Sequence, residues 1–425
     1  MKILETIIFI LSICIINSIN LRTNEDNIVL KSEPIKDDGV SDFHTPLQLQ
    51  YINNQNPESI SLYARGKANL SRPLGNKLDF SEDVVKSSSY VLQYSSTKNF
   101  ENDKTTTIRY LTERSYILKN LKLGEVIYYR GAVDENELEN SVIHKLTVSS
   151  VPPRNLDIPS VDNARDIGGY KTSLVNGGVI KQGLYYRTAR LNSLNEKGKK
   201  VIVEDLGIKR EINLRSTDYD PNINGVEYHY IPIKDSNGRT RCEGYDNEYK
   251  KVFKLMSEAD KYPIILHCKA GADRTGVMSF ALLALLGADY KDIAKDYAFT
   301  SFGLQGIRDI KNSQFEIWME NLEKYGGNTM AEKCKSWLMS KGIEENVLET
   351  IREIFIDGYE RKQGGSHKIT IPDNFSSLSI DEKYNIVKQI VQGNLNNFAL
   401  VKGYLTSTEY QIILRRYKLE LKNKN

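Results

Sequence analysis

The chain has 425 residues, of which 40% are hydrophobic and 27% are charged, with a formal net charge of +3. This length is enough for two or three domains, and the composition is that of a globular protein, which excludes a disordered or fibrous chain. The small net charge gives no reason to expect a nucleic-acid partner.

The first segment has the pattern of an export signal. A lysine at position 2 precedes an apolar run, Ile7 to Ile16, that is short for a membrane span. We therefore expect residues 1–20 to be a signal peptide, with an uncleaved membrane anchor as the alternative. The protein would then be secreted or at the cell surface, without a stable membrane span after cleavage. Residues 21–42 are polar and predict a flexible linker.

Residues 43–150 carry short runs of β-branched and aromatic residues separated by polar turns. The runs begin at Tyr90, Thr107, Val126 and Val142. This spacing predicts an all-β sandwich domain. Residues 118–130 resemble a stretch of fibronectin type III domains, although the usual tyrosine-corner position would be Ile127. The resemblance implies a spacing or adhesive role.

Residues 264–276 are the most informative part of the sequence. Three apolar residues from Ile264 predict the end of a buried strand, and the apolar run after Gly276 predicts a buried helix. Between them lies a short loop, His267 to Asp273, that contains Gly271. Backbone amides of such a loop converge on one point at a helix N-terminus, where negative charge is stabilised. The arrangement predicts a binding site for a phosphoryl group.

Four side chains of this stretch suit phosphoryl transfer by a thiol. Cys268 would be a nucleophilic thiolate in the field of the helix N-terminus. Arg274 would hold two phosphate oxygens at once, which lysine does less well. Thr275 offers a hydroxyl to the thiolate, and His267 would orient the loop from behind.

The stretch resembles the phosphate-binding loop of cysteine-dependent protein tyrosine phosphatases. It is most similar to the bacterial and fungal group that has aspartate directly before the arginine. Three further segments resemble motifs of that group in the same order, and they begin at Asn163, Gly183 and Leu206. The resemblance covers residues 155–360 and implies an α/β domain with a central, mostly parallel sheet flanked by helices.

The same resemblance implies roles for several residues. The loop residues that would bind the substrate phosphate are Lys269, Ala270, Gly271 and Ala272. The residues expected to form an internal charge network under the loop, where buried charges need partners, are Arg165, Asp166 and Arg215. The substrate would be a phosphorylated protein or peptide, through phosphotyrosine and also phosphoserine or phosphothreonine.

Two carboxylates compete for the role of general acid. Asp273 lies in the loop, where the resembling group has its acid. Asp235 lies 33 residues before Cys268, a separation that resembles the movable acid loop of dual-specificity phosphatases. A solvated turn is the alternative for Asp235. We favour Asp273 and retain Asp235.

Two alternatives to a phosphotyrosine phosphatase stay open, one with another substrate and one without activity. Relatives often carry lysine before the loop aspartate, but here that residue is Ala272 and a lysine follows the cysteine instead, at Lys269. A phosphoinositide phosphatase would share every catalytic residue. An inactive, phosphate-binding adhesion protein is the alternative from another class. The five histidines are too scattered to suggest a metal cluster, and we expect no cofactor.

The last part of the chain is predicted to be helical. Helices are expected around Trp318 and Trp337, as core or as a lid over the site. Residues 366–425 predict a helical C-terminal extension that opens with a capping box at Ser379. Two cysteine pairings, Cys242 with Cys334 or with Cys268, stay open on the sequence alone.

Overall fold

We describe the fold from a computed structural model of the chain. The structure describes residues 35–64, 70–234, 244–311, 313–361, 372, 374–391, 401 and 404–422. The predicted signal peptide therefore lies outside the described residues. The chain divides into two compact units.

The first unit is built from strands and comprises residues 35–41 of the described chain with Lys77–Tyr116 and Val126–Thr147. Its strands, with ends that reach slightly into the flanking segments, are β1 (Lys36–Ser41), β2 (Asn76–Asp79), β3 (Tyr90–Ser95), β4 (Thr105–Leu111), β5 (Ser115–Leu118), β6 (Val126–Ala132) and β7 (His144–Val148). Five strands form one sheet in the order β1-β7-β6-β3-β4, and β2 pairs with β5. The pairs β3–β4, β3–β6 and β6–β7 are antiparallel.

Side-chain burial in β7 follows the two-residue period of a half-buried strand. In β7, His144, Leu146 and Val148 are buried, whereas the residues between them are partly exposed. Phe80, just after β2, packs on Tyr90 of β3 with 6.2 Å between ring centroids. The core of the unit is thus formed by alternate residues of its strands.

Two predicted boundaries differ from the structure. Strand β1 lies inside the segment 21–42 that was predicted to be a linker. Residues 43–76 were predicted to belong to the β domain, but Asp42–Asn76 groups with the second unit and contains helix α1 (Pro46–Asn53). The helix begins there because Thr45 and Gln48 form a reciprocal capping box. The short 3-10 helix Pro57–Leu62 follows it.

The second unit contains the sheet that positions the candidate site. Its strands are β8 (Arg154–Asn155), β9 (Arg165–Asp166), β10 (Tyr185–Thr188), β11 (Arg210–Asn213), β12 (Glu227–Tyr230) and β13 (Ile264–His267). The order is β12-β11-β13-β10-β9-β8, with the first four strands parallel and the last two antiparallel. His267 pairs in register with Asn213 on one side and Thr188 on the other. Three parallel strands therefore end together where the phosphate loop begins.

Helices surround this sheet, as the resemblance implied. They are α2 (Glu196–Lys200), α3 (Asp246–Met256), α4 (Arg274–Leu285), α5 (Tyr290–Phe299), α6 (Gln314–Leu322), α7 (Met330–Ser340) and α8 (Glu345–Phe355). Every residue of α4 is buried. Trp318 of α6 packs on Phe280 and Tyr297, with 5.6 and 5.2 Å between ring centroids. Trp318 and Trp337 are at most 1% exposed, so both are core residues and the lid interpretation is wrong for them.

The C-terminal extension contains two helices in its described part, α9 (Ile380–Val391) and α10 (Ser407–Lys422). They share a small apolar cluster that includes Tyr384, Val387 and Ile413. The capping box predicted at Ser379 is present, because Ser379 and Glu382 each accept the other's backbone N–H.

Among the described residues, none of the helices combines the length and the apolar character that crossing a membrane requires.

Candidate active site

The phosphate loop begins directly after β13 and ends at the start of α4. His267 is the last residue of the strand, and Arg274 is the first residue of the helix. Cys268 is a buried, free thiol. Gly271 has φ +67°, and a Cβ at this position would lie 2.5 Å from the carbonyl oxygen of Thr188. Only glycine allows the loop to approach β10 this closely.

The loop turns its carbonyl groups outward. The carbonyl of Lys269 accepts from the N–H of Arg190 at 3.3 Å. The carbonyls of Ala270 and Gly271 accept from the side chains of Asn163 and Arg187, at 3.0 and 2.8 Å. No described residue accepts a hydrogen bond from the amides of 269–273. These amides are therefore available to an anion inside the curve of the loop.

Arg274 and Thr275 occupy the base of the loop. Arg274 is 8% exposed, and its Nη1 donates to the carbonyls of Leu214 and Ile233 at 3.4 and 3.3 Å. These two bonds fix one nitrogen and leave the others for phosphate oxygens. The Thr275 hydroxyl is buried and has no hydrogen-bond partner among the described residues, so the expected bond to the Cys268 thiol is not present in this structure.

His267 is fully buried at the end of β13, directly before the loop. Its Nε2 is 3.0 Å from Glu211 Oε1 and 3.7 Å from Asp220 Oδ2. Its Nδ1 has no hydrogen-bond partner in the described part of the chain. Neither carboxylate was among the site residues predicted from the sequence. The signal for Glu211 was an acidic residue in a strand that is buried along its whole length.

Glu211, Asp220 and His267 could together hold a metal ion, because their ligand atoms lie within 4.8 Å of one another; among the described residues they are the group with this property. Asp220 Oδ2 already lies 2.6 Å from the guanidinium of Arg215 and accepts from Asn213 at 2.5 Å. A guanidinium at the same oxygen disfavours a cation there. We therefore interpret the group as a charge network around His267.

A second buried network fixes the loop from behind. Asp296 of α5 is 2.8 Å from Nε of Arg165 and also pairs with Arg187. Burial raises the pKa of Asp296, but the two guanidinium groups outweigh it, so the pKa of this carboxyl lies below its usual value. Arg187 donates in turn to Gly271, and Arg165 pairs with Asn163. Every buried charge in this network has a partner, as buried charges require.

The predicted scaffold residues divide among three places. Arg165 belongs to the network under the loop. Asp166 instead pairs with Arg154 at 2.8 Å and accepts the N–H groups of Gly168 and Gly183. Arg215 belongs to the network around His267. Asp296 has no local signal in the sequence, because it acts on the loop from helix α5 through its pair with Arg187.

Of the two candidate acids, the structure describes only Asp273. Asp273 is 29% exposed and lines a cavity of about 620 Å³. Nε of Arg308 lies 3.4 Å from its Oδ1. Asp235 lies outside the described residues. Lys269 is exposed, whereas Ala270 and Ala272 are buried.

The structure describes two of the three cysteines in the predicted pairings. Cys242 lies outside the described residues. Cys334 is buried in α7, and its thiol donates to the carbonyl of Ala281 at 3.2 Å. Cys268 is a free, buried thiol in this structure, and both pairings with Cys242 stay predictions.

Comparisons with known proteins agree with this geometry. A model of the tyrosine phosphatase family matches residues 156–368, half of the chain. A tyrosine-protein phosphatase of Nostoc commune is 26% identical over 152 residues, covering 30% of this chain and 51% of that protein. The chain thus spans about half the length of this curated relative.

Two solved structures are similar at low identity. The core catalytic domain of the PP-IP phosphatase SIW14 from S. cerevisiae is 18% identical, with 29% of this chain and 75% of that chain covered and a TM-score of 0.24. TpbA from P. aeruginosa is 15% identical, with 43% and 96% covered and a TM-score of 0.25. The family match, with the motifs and the loop that carry it, identifies the chain as a member of the tyrosine phosphatase family.

Proposed function

We propose that the chain hydrolyses phosphotyrosine esters through a phosphocysteine intermediate, and phosphoserine or phosphothreonine more slowly. The observation that carries the proposal is the loop itself. Three of its carbonyls accept hydrogen bonds from residues outside the loop, whereas no described residue accepts from its amides, so these amides, Cys268 and Arg274 are left for a ligand. A dianionic phosphoryl group is the ligand that fits this set of donors.

The reaction has two steps. In the first, the Cys268 thiolate attacks phosphorus, the S–P bond forms, and the bond to the leaving oxygen breaks as that oxygen takes a proton. Arg274 and the loop amides stabilise the charge on the three equatorial oxygens. In the second, water attacks phosphorus and gives up a proton to the carboxylate that protonated the leaving oxygen in the first step. The bond between phosphorus and sulfur breaks, and the thiolate leaves.

Asp273 is the general acid in this proposal. It lies next to Arg274 at the rim of the loop, and it lines the cavity into which a leaving group would extend. When Asp273 gives up its proton, the resulting carboxylate faces Arg308 at 3.4 Å. This positive charge stabilises the product of proton transfer. Asp235 is the competing acid.

Burial of the nucleophile favours a long leaving group. Cys268 is only 2% exposed, so the phosphoryl group must descend below the surface of the protein. A phenyl ring between phosphorus and peptide backbone bridges that depth, whereas the short serine side chain does not. We therefore expect phosphotyrosine to be preferred.

The test is turnover of p-nitrophenyl phosphate and a phosphotyrosine peptide by the purified full chain, with thiol reductant and chelator present. We expect Cys268→Ser to lower kcat by about 10⁴-fold or more, since it removes the nucleophile. Cys334→Ala is the matched control, because that buried thiol has no part in the reaction, and its kcat should stay within about twofold of wild type.

Each other outcome points to one alternative. An inactive wild type that still binds phosphate would favour the adhesion protein. Preference for a phosphoinositide over the peptide would favour the lipid phosphatase. Activity that survives Cys268→Ser would contradict the cysteine mechanism.

We further propose that the β unit is a fibronectin type III-like spacer, and that the protein is exported. The sheet order β1-β7-β6-β3-β4 with a separate β2–β5 pair supports a sandwich. The apolar run near the N-terminus supports export. N-terminal sequencing of protein recovered from the medium would test export, and a mature chain beginning near residue 21 is the expected result.

A further inference from the structure

The cavity beside Asp273 contains a positively charged group, Arg308, whose partner in the proposed chemistry is Asp273 only after the proton has been transferred. Its walls come chiefly from one segment, residues 307–311, which we call the Arg308 loop. The other lining residues are Glu58, Asp273, Tyr297, Ser313 and Gln314. Because the general acid contacts the leaving oxygen, the rest of the leaving group passes along this cavity. The Arg308 loop is therefore placed to contact the substrate next to the scissile ester.

The position of Arg308 is fixed by the fold. Its backbone N–H donates to Oγ of Ser301 at 2.8 Å, and Ser301 is fully buried. Its Nη1 donates to the carbonyls of Gln305 and Ile307, at 3.1 and 3.2 Å. Ile310, two residues on, is 2% exposed and anchors the loop in the core. Arg308 is thus held in place before any ligand arrives, which lowers the entropy lost on binding.

Two ion pairs lie in this cavity, and one of them depends on the charge of Asp273. Lys311 Nζ lies 2.9 Å from Glu58 Oε2, so these two charges compensate each other. Arg308 has Asp273 as its carboxylate partner, at 3.4 Å. A general acid must carry a proton when it acts, and a protonated Asp273 no longer compensates Arg308. When Asp273 is protonated, Arg308 forms no other ion pair with a described residue, and a carboxylate of the substrate can take the place of Asp273.

We propose that Arg308 is a specificity-determining residue that binds a carboxylate adjacent to the phosphotyrosine of the substrate. The inference rests on the function proposed above. A peptide with glutamate or aspartate beside phosphotyrosine supplies the missing negative charge when Asp273 is protonated. The enzyme then prefers acidic neighbours, and it does so through a charge-assisted bond to a guanidinium.

The charge balance favours a single carboxylate over a polyphosphate. Glu58 and the exposed Asp309 also line the cavity. A ligand with several additional negative charges would meet these carboxylates after compensating Arg308. A cavity of about 620 Å³ is within the range that holds a ligand of several groups, so a tyrosine with a neighbouring side chain fits.

The test compares paired phosphotyrosine peptides that differ only in glutamate or glutamine beside the phosphotyrosine, on either side. For the wild-type full chain we expect kcat/KM to favour glutamate by about twofold to fivefold, the range of a partly exposed ion pair. Arg308→Gln should reduce this ratio to about one. Lys311→Gln is the matched control, because Lys311 is already compensated by Glu58, and it should keep the wild-type ratio. Arg308→Glu should shift the preference toward a lysine neighbour.

Several outcomes would overturn the inference. They are a wild-type ratio of about one at both positions, a ratio that survives Arg308→Gln, and a ratio lost equally in Lys311→Gln. Arg308-dependent turnover of a vicinal bisphosphorylated polyol above that of both peptides would reject the peptide carboxylate.

Binding of the same peptides to Cys268→Ser separates the two proposals. This variant reports recognition without turnover. If the wild type turns over neither peptide, the proposed function fails. The preference of Cys268→Ser for glutamate, and its loss in the double variant with Arg308→Gln, would then still decide the inference.

Discussion

The two units each contain a buried histidine between two carboxylates, yet only one of these histidines lies beside a candidate site. His267 in the second unit has Glu211 at 3.0 Å and Asp220 at 3.7 Å. His144 in the β unit has Asp83 at 2.8 Å and Asp38 at 3.1 Å. The exposed fraction of either residue is at most 1%. The residue types and their burial are therefore nearly the same.

The two histidines differ in how their ring nitrogens are bonded. Each ring nitrogen of His144 faces a carboxylate, and its ring stacks on Tyr129 at 4.6 Å between centroids. His267 has both its carboxylates on Nε2, and the next residue is the nucleophile. A histidine between two acids is thus a structural arrangement by itself. It becomes part of a site through the loop that follows it.

The largest effect expected in this comparison is the loss of kcat when the proton donor is removed, and it tests whether that donor is Asp273 or His267. If His267 is a positioning residue, the leaving-group proton comes from Asp273. We expect Asp273→Asn to lower kcat by about 10²- to 10⁴-fold with a phosphotyrosine peptide, the usual contribution of a general acid. With p-nitrophenyl phosphate the loss should be far smaller, because its leaving group departs without a proton.

An equal loss for both substrates would indicate that Asp273 shapes the loop instead. A small loss with the peptide would return the role to Asp235.

The second prediction compares the histidines directly. His267→Ala should lower kcat by about 10²-fold through displacement of the loop, with little change in KM. His144→Ala is the matched variant in the β unit and should leave both parameters within about twofold. Steady-state kinetics on p-nitrophenyl phosphate would measure both. Equal losses in the two variants would break the distinction drawn between these sites.

The third prediction concerns stability of the β unit. Asp83→Asn removes a charged partner of His144 and should lower the free energy of unfolding of this unit by about 1–3 kcal/mol. The chain has two tryptophans, Trp318 and Trp337, both in the second unit. Hydrogen exchange in β6 and β7 is therefore the suitable measurement. Unchanged protection there, or a lowered kcat, would contradict the structural role of His144.

The smallest effect concerns Asp292 of α5, a carboxyl that has no histidine or arginine partner among the described residues. Burial and the nearby Asp289 raise its pKa from 3.8 to about 6. The folded state then holds the proton more tightly than the unfolded chain, so this group's contribution to stability is greatest below pH 3.8 and falls as pH rises through 6.

Asp292→Asn should flatten that part of the pH profile of the urea midpoint and raise the midpoint slightly at pH 8. A profile that keeps the wild-type slope in the variant would assign the dependence to another group.

The sequence predicted the parts of the site that are local in the chain. The strand, loop and helix from Ile264 to Leu285 are encoded by one continuous pattern of apolar residues and glycine, and Cys268 and Arg274 are fixed within it. The capping box at Ser379 is local for the same reason. Helix α1 had an equally local signal in Thr45 and Gln48, but it was overlooked among residues assigned to strands.

The remaining residues could not be found from sequence because they reach the site through tertiary contacts. Asp296 contacts Arg165 across 131 positions, and Glu211 contacts His267 across 56. An aspartate in an amphipathic helix, or a glutamate in a short strand, has no local mark of that role. Arg308 becomes notable only when its loop is seen beside Asp273.

The outward carbonyl bonds of the loop also bear on how the protein folds. The donors to Ala270 and Gly271 lie 107 and 84 positions earlier in the chain. Closing such long stretches is entropically unfavourable and slow compared with helix formation. The phosphate loop therefore takes its shape only after β9, β10 and α5 have docked. During refolding, tryptophan burial should precede the return of turnover, and inorganic phosphate, which binds only the finished loop, should raise the urea midpoint of the second unit.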